Sequence, residues 1–371
     1  MRVVHLCQRD NPKDGGAYRV AWEFLRHQRE LGIDAHVVFL YGDRGPVAAE
    51  FPDCTHFLGI DSPRQLSRLP RLNKELARLQ PDIVHDHQPV LWSTVLTFFH
   101  RRWKRVTHGH MQAGVRSFGA KTHLLLYLQR LTTDHLVCIS PSIRESWIRE
   151  GGYHPSRTTA VLNGIPSELY RRQEGNLAGK DFRHQYSIPE DVCLLGSVGR
   201  LQNRFKGTDD LLRALRELPN NWHGLIVGTG PDLDQLKSLA AEMGIQDRTF
   251  FVGLIEDPIP AYHAMDVFAL TSHFEPFGLV VGEAMAAGLP VVRFACPGGV
   301  NDVHTHEVGW IVPERNAHLF ATAVMEAHTD WQNPERSARK REAIQELLET
   351  KLNWRTNTQQ LVEIYSSLLQ K

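Results

Sequence analysis

Ser272-His-Phe-Glu275-Pro-Phe-Gly278-Leu-Val-Val-Gly-Glu283-Ala-Met-Ala-Ala-Gly288-Leu-Pro-Val-Val292 is the stretch on which the reading of this chain turns. An apolar run, Asp266-Val-Phe-Ala-Leu270, precedes it and predicts a strand. Pro276 and Gly278 then mark a turn, an Ala-rich stretch predicts a helix, and Gly288-Leu289-Pro290 stops that helix ahead of the next strand, Val291-Val292. Strand, loop, helix and strand in that order make the repeating unit of a parallel sheet. Glu275 falls in the loop, and Glu283 about a turn and a half into the helix on a similar face. Between them lies a helix N-terminus with free backbone N–H groups, a seat for a phosphate. Two carboxylates flanking such a seat suit a ligand with a diphosphate in the middle and hydroxylated rings at both ends, the shape of a nucleotide-sugar. On spacing alone, an ordinary βα unit with an acidic loop fits equally well.

Outward from this stretch the same alternation continues in both directions, which predicts an α/β protein with parallel sheets. Candidate strands in the first half are Val3–Cys7, Ala35–Leu40, Ile83–His87, Arg105–Thr107, His135–Ile139 and Thr159–Leu162. Arg19–Leu31 reads as a helix closed by Gly32. A second series runs through Cys193–Val198, Gly224–Val227, Thr249–Val252, Val267–Leu270 and Val291–Phe294. Pro166–Pro189 is polar and weakly periodic, so it is expected to link a first domain, 1–165, to a second, 190–353. Trp354–Leu369 is an amphipathic helix with Leu361, Ile364, Tyr365 and Leu368 on one face.

At 371 residues the chain is long enough for two cores, and 42% hydrophobic with 23% charged residues suits a soluble globular enzyme. Cys7, Cys54, Cys138, Cys193 and Cys296 are scattered without a CxxC pair, which argues against a disulfide framework or zinc site and for a reducing compartment. Met1-Arg-Val-Val-His-Leu-Cys7 opens straight into a strand, with no signal peptide and no membrane-spanning run, so a cytoplasmic location is expected. The formal net charge is zero but unevenly divided: residues 1–185 carry 26 Lys+Arg against 18 Asp+Glu. Arg64 to Arg78 and Arg101-Arg-Trp-Lys-Arg105 hold many of these cations. Read as exposed, Arg101, Arg102 and Arg105 suggest an anionic acceptor or peripheral contact with the inner face of an anionic membrane; solvated surface is the plainer reading. Nucleic acid is not an expected partner.

Further segments carry chemistry. Asp14-Gly15-Gly16 stands between the first strand and its helix, where glycines let backbone approach an anion. Gly199-Arg200-Leu-Gln-Asn-Arg-Phe-Lys206-Gly207 follows a strand and offers fixed cations. Val106-Thr107-His108-Gly109-His110 ends a strand, the place where ligands bind in open α/β sheets. Asp82-Ile-Val-His-Asp-His87 looks like a metal cluster, but alternation along a strand turns His85 and His87 one way and Asp86 the other, so no metal is expected.

In wording as well as spacing, Glu275 and Glu283 resemble the Glu-x7-Glu signature of retaining glycosyltransferases of family 4. The match extends through Gly15-Gly16, the Asp82–His87 strand, His108-Gly109, Asn163-Gly164, Gly199-Arg200…Lys206-Gly207, Val252-Gly253-Leu254 and Pro297-Gly298-Gly299. The resemblance implies the GT-B fold: two Rossmann-like domains facing a central cleft, the last helix, 354–371, crossing back to the first. It implies transfer of a sugar from a nucleoside-diphosphate sugar, UDP favoured over GDP, to an acceptor sugar, lipid-linked glycan or metabolite, without metal or other cofactor. Glu275 would hold the donor sugar and Glu283 the ribose. Arg200 and Lys206 would meet the diphosphate, and Gly15, Gly16, Gly253, Leu254, Phe277, Gly278 and Leu279 would complete the donor site. His108 would line the sugar pocket with His110 as its rival, and His87 and His110 would border the acceptor. Epimerases of nucleotide-sugars and non-catalytic sugar-nucleotide sensors remain the competing readings on this fold.

Overall fold

The computed structural model describes residues 1–11, 15–60, 70–90, 94, 102–113, 120–172 and 174–370. The chain divides into two compact units, Met1–Gly164 with Asn353–Lys371, and Ile165–Leu352.

The first unit holds a seven-stranded sheet in the order β3-β2-β1-β4-β5-β6-β7. Its strands are β1 (Arg2–Cys7), β2 (Asp34–Tyr41), β3 (Thr55–Ile60), β4 (Ile83–Asp86), β5 (Lys104–Gly109), β6 (His135–Cys138) and β7 (Thr158–Ala160). Every pairing is parallel. Alternation divides the strand residues between two cores. Val4, Leu6, Val38, Leu40 and Leu58 pack with Leu72, Leu76 and Leu79 of the helix Pro70–Leu79. Cys7, Val37 and Phe39 face the other way, onto Tyr18, Ala21 and Leu25 of the helix Gly16–Glu30. A strand buried on both faces reads as one apolar run, which is why β1 and β2 are legible in sequence. The terminal helix Trp354–Leu369 returns to this unit, where Trp354 meets Phe24 edge-on at 5.1 Å between ring centres.

The second unit holds a six-stranded parallel sheet in the order β10-β9-β8-β11-β12-β13. Its strands are β8 (Cys193–Val198), β9 (Trp222–Val227), β10 (Thr249–Gly253), β11 (Val267–Leu270), β12 (Val291–Phe294) and β13 (Trp310–Val312). One core beside it joins Leu195, Ile226, Val267 and Val292 to Leu211 and Leu215 of the helix Thr208–Glu217 and Phe320 and Val324 of the helix Ala317–Gln332.

The segment expected as a linker is instead part of the second unit. It forms the helices Ser167–Tyr170 and Leu177–Gln185 and is pinned to the helix Ile259–Ala264. Tyr170 is buried against Tyr262, and its carbonyl meets His263 Nε2 at 2.8 Å. Arg183 donates to the carbonyl of Ala264 and to Asp266. A polar segment with little periodicity hides such docking, because a few aromatic and arginine anchors do the work of an apolar face.

Candidate active site

In the second unit the strand order reverses between β8 and β11. The carboxyl ends of strands flanking such a reversal are where open α/β sheets bind ligands. A shallow pocket occupies that position, lined by Ser197 and Val198 of β8, by Gly199, Arg200, Lys206 and Thr208, and by Leu270, Thr271 and Ser272. Arg200 is exposed, and among the described residues its guanidinium has no ion-pair partner.

Glycine makes the close packing of these loops feasible. Gly207 is left-handed at φ 57°, and a Cβ on it would lie 2.3 Å from the carbonyl oxygen of Thr271. Thr271 Oγ1 donates to the Lys206 carbonyl at 3.2 Å and the His273 N–H to the Phe205 carbonyl at 2.8 Å, so the two loops are laced together. Lys206 Nζ then reaches Glu275 Oε2 at 2.7 Å, and Ser272 Oγ donates to the same oxygen at 3.1 Å. The Glu275 side chain is only 8% exposed while that of Lys206 is 32% exposed, so the carboxylate is enclosed and its cation opens to solvent. Behind Glu275 runs the Pro297-Gly298-Gly299 loop. The Glu275 N–H donates to the Pro297 carbonyl and the Gly299 N–H to that of Pro276. Gly298, at φ 123°, leaves room that a Cβ would take from the Glu275 carbonyl.

Gly278 is left-handed and opens the helix Leu279–Ala286 without any side-chain cap, so its first N–H groups are left for another acceptor. Glu283, in this helix, is 2% exposed and accepts the Tyr262 hydroxyl at 2.7 Å. Phe277 and Gly278 are buried and Leu279 half-buried. Leu254 stands out at 60% exposed. The Gly253 carbonyl accepts the Gly228 N–H at 2.7 Å, so it serves the β9–β10 edge.

Two contributors escaped the sequence. Arg315 donates to the carbonyls of Thr271 and Ser272, pairs with Asp210 and lies over Phe294, which fixes the loop that carries Glu275. Tyr262 holds Glu283. Neither belongs to a motif, and both act across elements far apart in the chain.

In the first unit the order reverses between β1 and β4. His5 of β1, His85 of β4, His87 just after it, His108 of β5 and His110 just beyond assemble on one face of the sheet there. Alternation sends Asp86 to the other face, where Arg105 Nη2 meets its Oδ2 at 2.8 Å with both side chains buried. Arg105 is therefore a core partner of Asp86, which corrects its reading as an exposed basic residue. Arg101 and residues 64–69 lie outside the described residues, as does Asp14. Gly15, left-handed at φ 84°, is the residue before the helix Gly16–Glu30.

The histidine rings are hydrogen-bonded to one another: His5 Nδ1 to His87 Nε2 at 2.9 Å, His87 Nδ1 to His110 Nε2 at 3.3 Å, and His85 Nε2 to His108 Nδ1 at 3.1 Å. Burial disfavours the charged ring, lowering His5 to about 4 and His110 to about 3, and taking His85, His87 and His108 well below the usual histidine value. His5, His85 and His87, and also His87, His108 and His110, bring ring nitrogens within 4.8 Å of one another, as metal ligands would. Reasoning within one strand missed this convergence, because the partners come from neighbouring strands. The strand-end histidines His87, His108 and His110 thus form one cluster, and among the described residues His108 Nε2 is buried without a partner.

The chain is similar to known proteins over most of its length. The chain matches the family described as Glycosyltransferase Family 4 over residues 14–169 and the one described as Glycosyl transferases group 1 over residues 180–346. It is 28% identical over 336 residues to the lipopolysaccharide core biosynthesis glycosyltransferase LpsE of Rhizobium meliloti, covering 89% of each chain. To the GDP-mannose-dependent alpha-(1-6)-phosphatidylinositol monomannoside mannosyltransferase of Mycobacterium tuberculosis it is 28% identical over 359 residues, again covering 89% of each. In fold it is similar to HepE of Anabaena, solved in complex with UDP and glucose, with a TM-score of 0.83 at 22% identity over 99% of this chain and 100% of that one. WaaG, a glycosyltransferase involved in lipopolysaccharide biosynthesis, aligns with a TM-score of 0.74 at 19% identity over 98% and 99% of the two chains. No helix among the described residues is long and apolar enough to cross a membrane.

Proposed function

The chain belongs to glycosyltransferase family 4, with two Rossmann-like units of the GT-B type, and we propose that it moves a sugar from a nucleoside diphosphate to a saccharide hydroxyl with retention at the anomeric carbon. The observation that carries this reading is the pocket at the β8–β11 reversal, with Arg200 and Lys206 on its wall and Glu275 bonded to Lys206.

A departing nucleoside diphosphate gains negative charge as the glycosidic bond breaks, and cations already in place stabilise that charge. Lys206 and Arg200 take this role, which a divalent metal performs in other transferases. Lys206 keeps one N–H on Glu275 and offers its others to the phosphate, so neither charge is stranded. Glu275, held by Lys206 and Ser272, binds the sugar. A retaining glycosidase would instead use such a carboxylate as nucleophile. Here the acceptor hydroxyl attacks on the face from which the leaving group departs, and the departing phosphate oxygen takes its proton. Glu283 bonds the ribose, the N-terminus of the helix Leu279–Ala286 meets the diphosphate, and His108 bonds a sugar hydroxyl.

HepE in complex with UDP and glucose and the GDP-mannose-dependent mycobacterial enzyme support a nucleoside-diphosphate sugar as donor. The lipopolysaccharide and phosphatidylinositol mannoside relatives support a lipid-linked saccharide as acceptor. The test is incubation with UDP- and GDP-hexoses and a panel of oligosaccharide acceptors, followed by NMR of the product. Release of the diphosphate with a product of the donor's anomeric configuration is expected. An inverted product would defeat the mechanism, and interconversion of two nucleotide-sugars without transfer would defeat the activity.

A further inference from the structure

The histidine cluster of the first unit is more than a set of stacked rings. Its hydrogen bonds have a direction, and neutral rings carry one proton each. Burial keeps these rings neutral near pH 7. His5 Nε2 lies 2.9 Å from Gln28 Oε1, an atom that only accepts, so His5 carries its proton on Nε2. His5 Nδ1 is then bare and accepts from His87 Nε2. His87 Nδ1 is bare in turn and accepts from His110 Nε2. One row of rings is thereby fixed from end to end.

The second row begins on the terminal helix. The Tyr365 hydroxyl meets His85 Nδ1 at 2.5 Å, and His85 Nε2 meets His108 Nδ1 at 3.1 Å. A phenol is a stronger acid than a neutral imidazole N–H, and an imidazole nitrogen is the better acceptor, so the hydroxyl donates. Gln28 also interacts with the Tyr365 hydroxyl. With His85 Nδ1 accepting, its proton sits on Nε2 and is donated to His108 Nδ1. His108 is left with its proton on Nε2, the buried atom without a partner.

We propose that Tyr365 is a positioning residue: through His85 it holds His108 in the Nε2–H form, so that His108 presents a hydrogen-bond donor to a sugar oxygen. This rests on the assignment of His108 to the sugar under the proposed function. It adds the direction of that bond and the residue, 257 positions further along the chain, that sets it. With its proton on Nε2, His108 orients that sugar oxygen as a donor and is unable to take a proton from the acceptor.

The tautomer is directly measurable. Long-range ¹H–¹⁵N correlation on histidine-labelled protein, with His108 identified by its loss in His108→Gln, should find the proton on Nε2 without any substrate present. Tyr365→Phe keeps the ring and removes only the donor. It should turn the His108 signal into a mixture of both tautomers and lower kcat about fivefold to tenfold, the loss of one hydrogen bond, with the donor KM unchanged. A proton on His108 Nδ1 in the unaltered protein would overturn the proposal, as would a Tyr365→Phe signal identical to the parent's. Concerted shifts of His87, His108 and His110 on adding zinc at micromolar concentration would overturn it in favour of a metal centre. Because the tautomer is read without sugar, a correct tautomer with no transferase activity would sink the functional reading, and with it the sugar as the bond's partner, but not the control of His108 by Tyr365.

Discussion

The two sheets reverse direction in the same way, between β1 and β4 and between β8 and β11, yet the residues gathered at the two reversals follow opposite electrostatics. In the second unit they are charged: Arg200 exposed, Lys206 bonded to Glu275, Glu283 buried beneath Tyr262. In the first unit they are five histidines kept neutral by burial and bonded to one another. A charged pocket with cations already in place suits a polyanion. Neutral rings in fixed orientation suit hydroxyls, which are recognised by donor and acceptor direction. One fold, used twice, thus gathers charged groups at one reversal and neutral rings at the other.

The contrast breaks first at the charges that each sheet buries. Arg105→Ala would leave the Asp86 carboxylate buried and uncompensated, and should cost about 3–5 kcal/mol of folding stability in chemical denaturation, independent of salt. A loss that instead scaled with ionic strength would return Arg105 to the surface. Lys206→Met should lower kcat by about 10²–10³, about 3–4 kcal/mol, because the cation acts on charge that develops in the transition state. An effect confined to the donor KM would show that Lys206 serves ground-state binding alone.

The neutral histidines give the first unit a pH signature. Their folded values lie below the unfolded value of 6.5, so the unfolded chain takes up protons first as pH falls. Stability is therefore complete above pH 6.5 and declines from there toward pH 4, on the order of 3 kcal/mol for His5 alone at the low end. Thermal denaturation from pH 8 to pH 4 checks this, and a melting temperature that rose on acidification would refute it. The smallest expected effect is that of a chelator. With cations at the diphosphate supplied by Arg200 and Lys206, activity should be unchanged by EDTA, whereas full loss restored by magnesium or manganese would mean the leaving-group chemistry is misassigned.

Much of the fold was legible because parallel strands buried on both faces read as unbroken apolar runs. β8, β11 and β12 begin and end where the sequence puts them, as does the terminal helix Trp354–Leu369. β3 was missed because Thr55-His56-Phe57-Leu58-Gly59-Ile60 mixes polar residues with a glycine, and β13 because it spans only Trp310–Val312. At the site, the motif residues were visible since they cluster within loops. The supporting side chains were not: Tyr262, Arg315 and Tyr365 reach the site only through tertiary structure. The same holds for the histidine cluster, where each strand shows its own rings and the convergence appears only when β1, β4 and β5 lie side by side.

The central claim is that the second unit divides a nucleotide-sugar between two carboxylates, and calorimetric titration tests it most directly. Glu275→Gln should leave binding of the bare nucleoside diphosphate nearly intact yet lose turnover, since of the donor its carboxylate meets only the sugar, and the amide oxygen still accepts from Lys206. Glu283→Ala should weaken the same nucleotide by about 1–3 kcal/mol, the cost of a lost charge-assisted bond to the ribose. Equal losses of nucleotide affinity in the two variants would contradict that division.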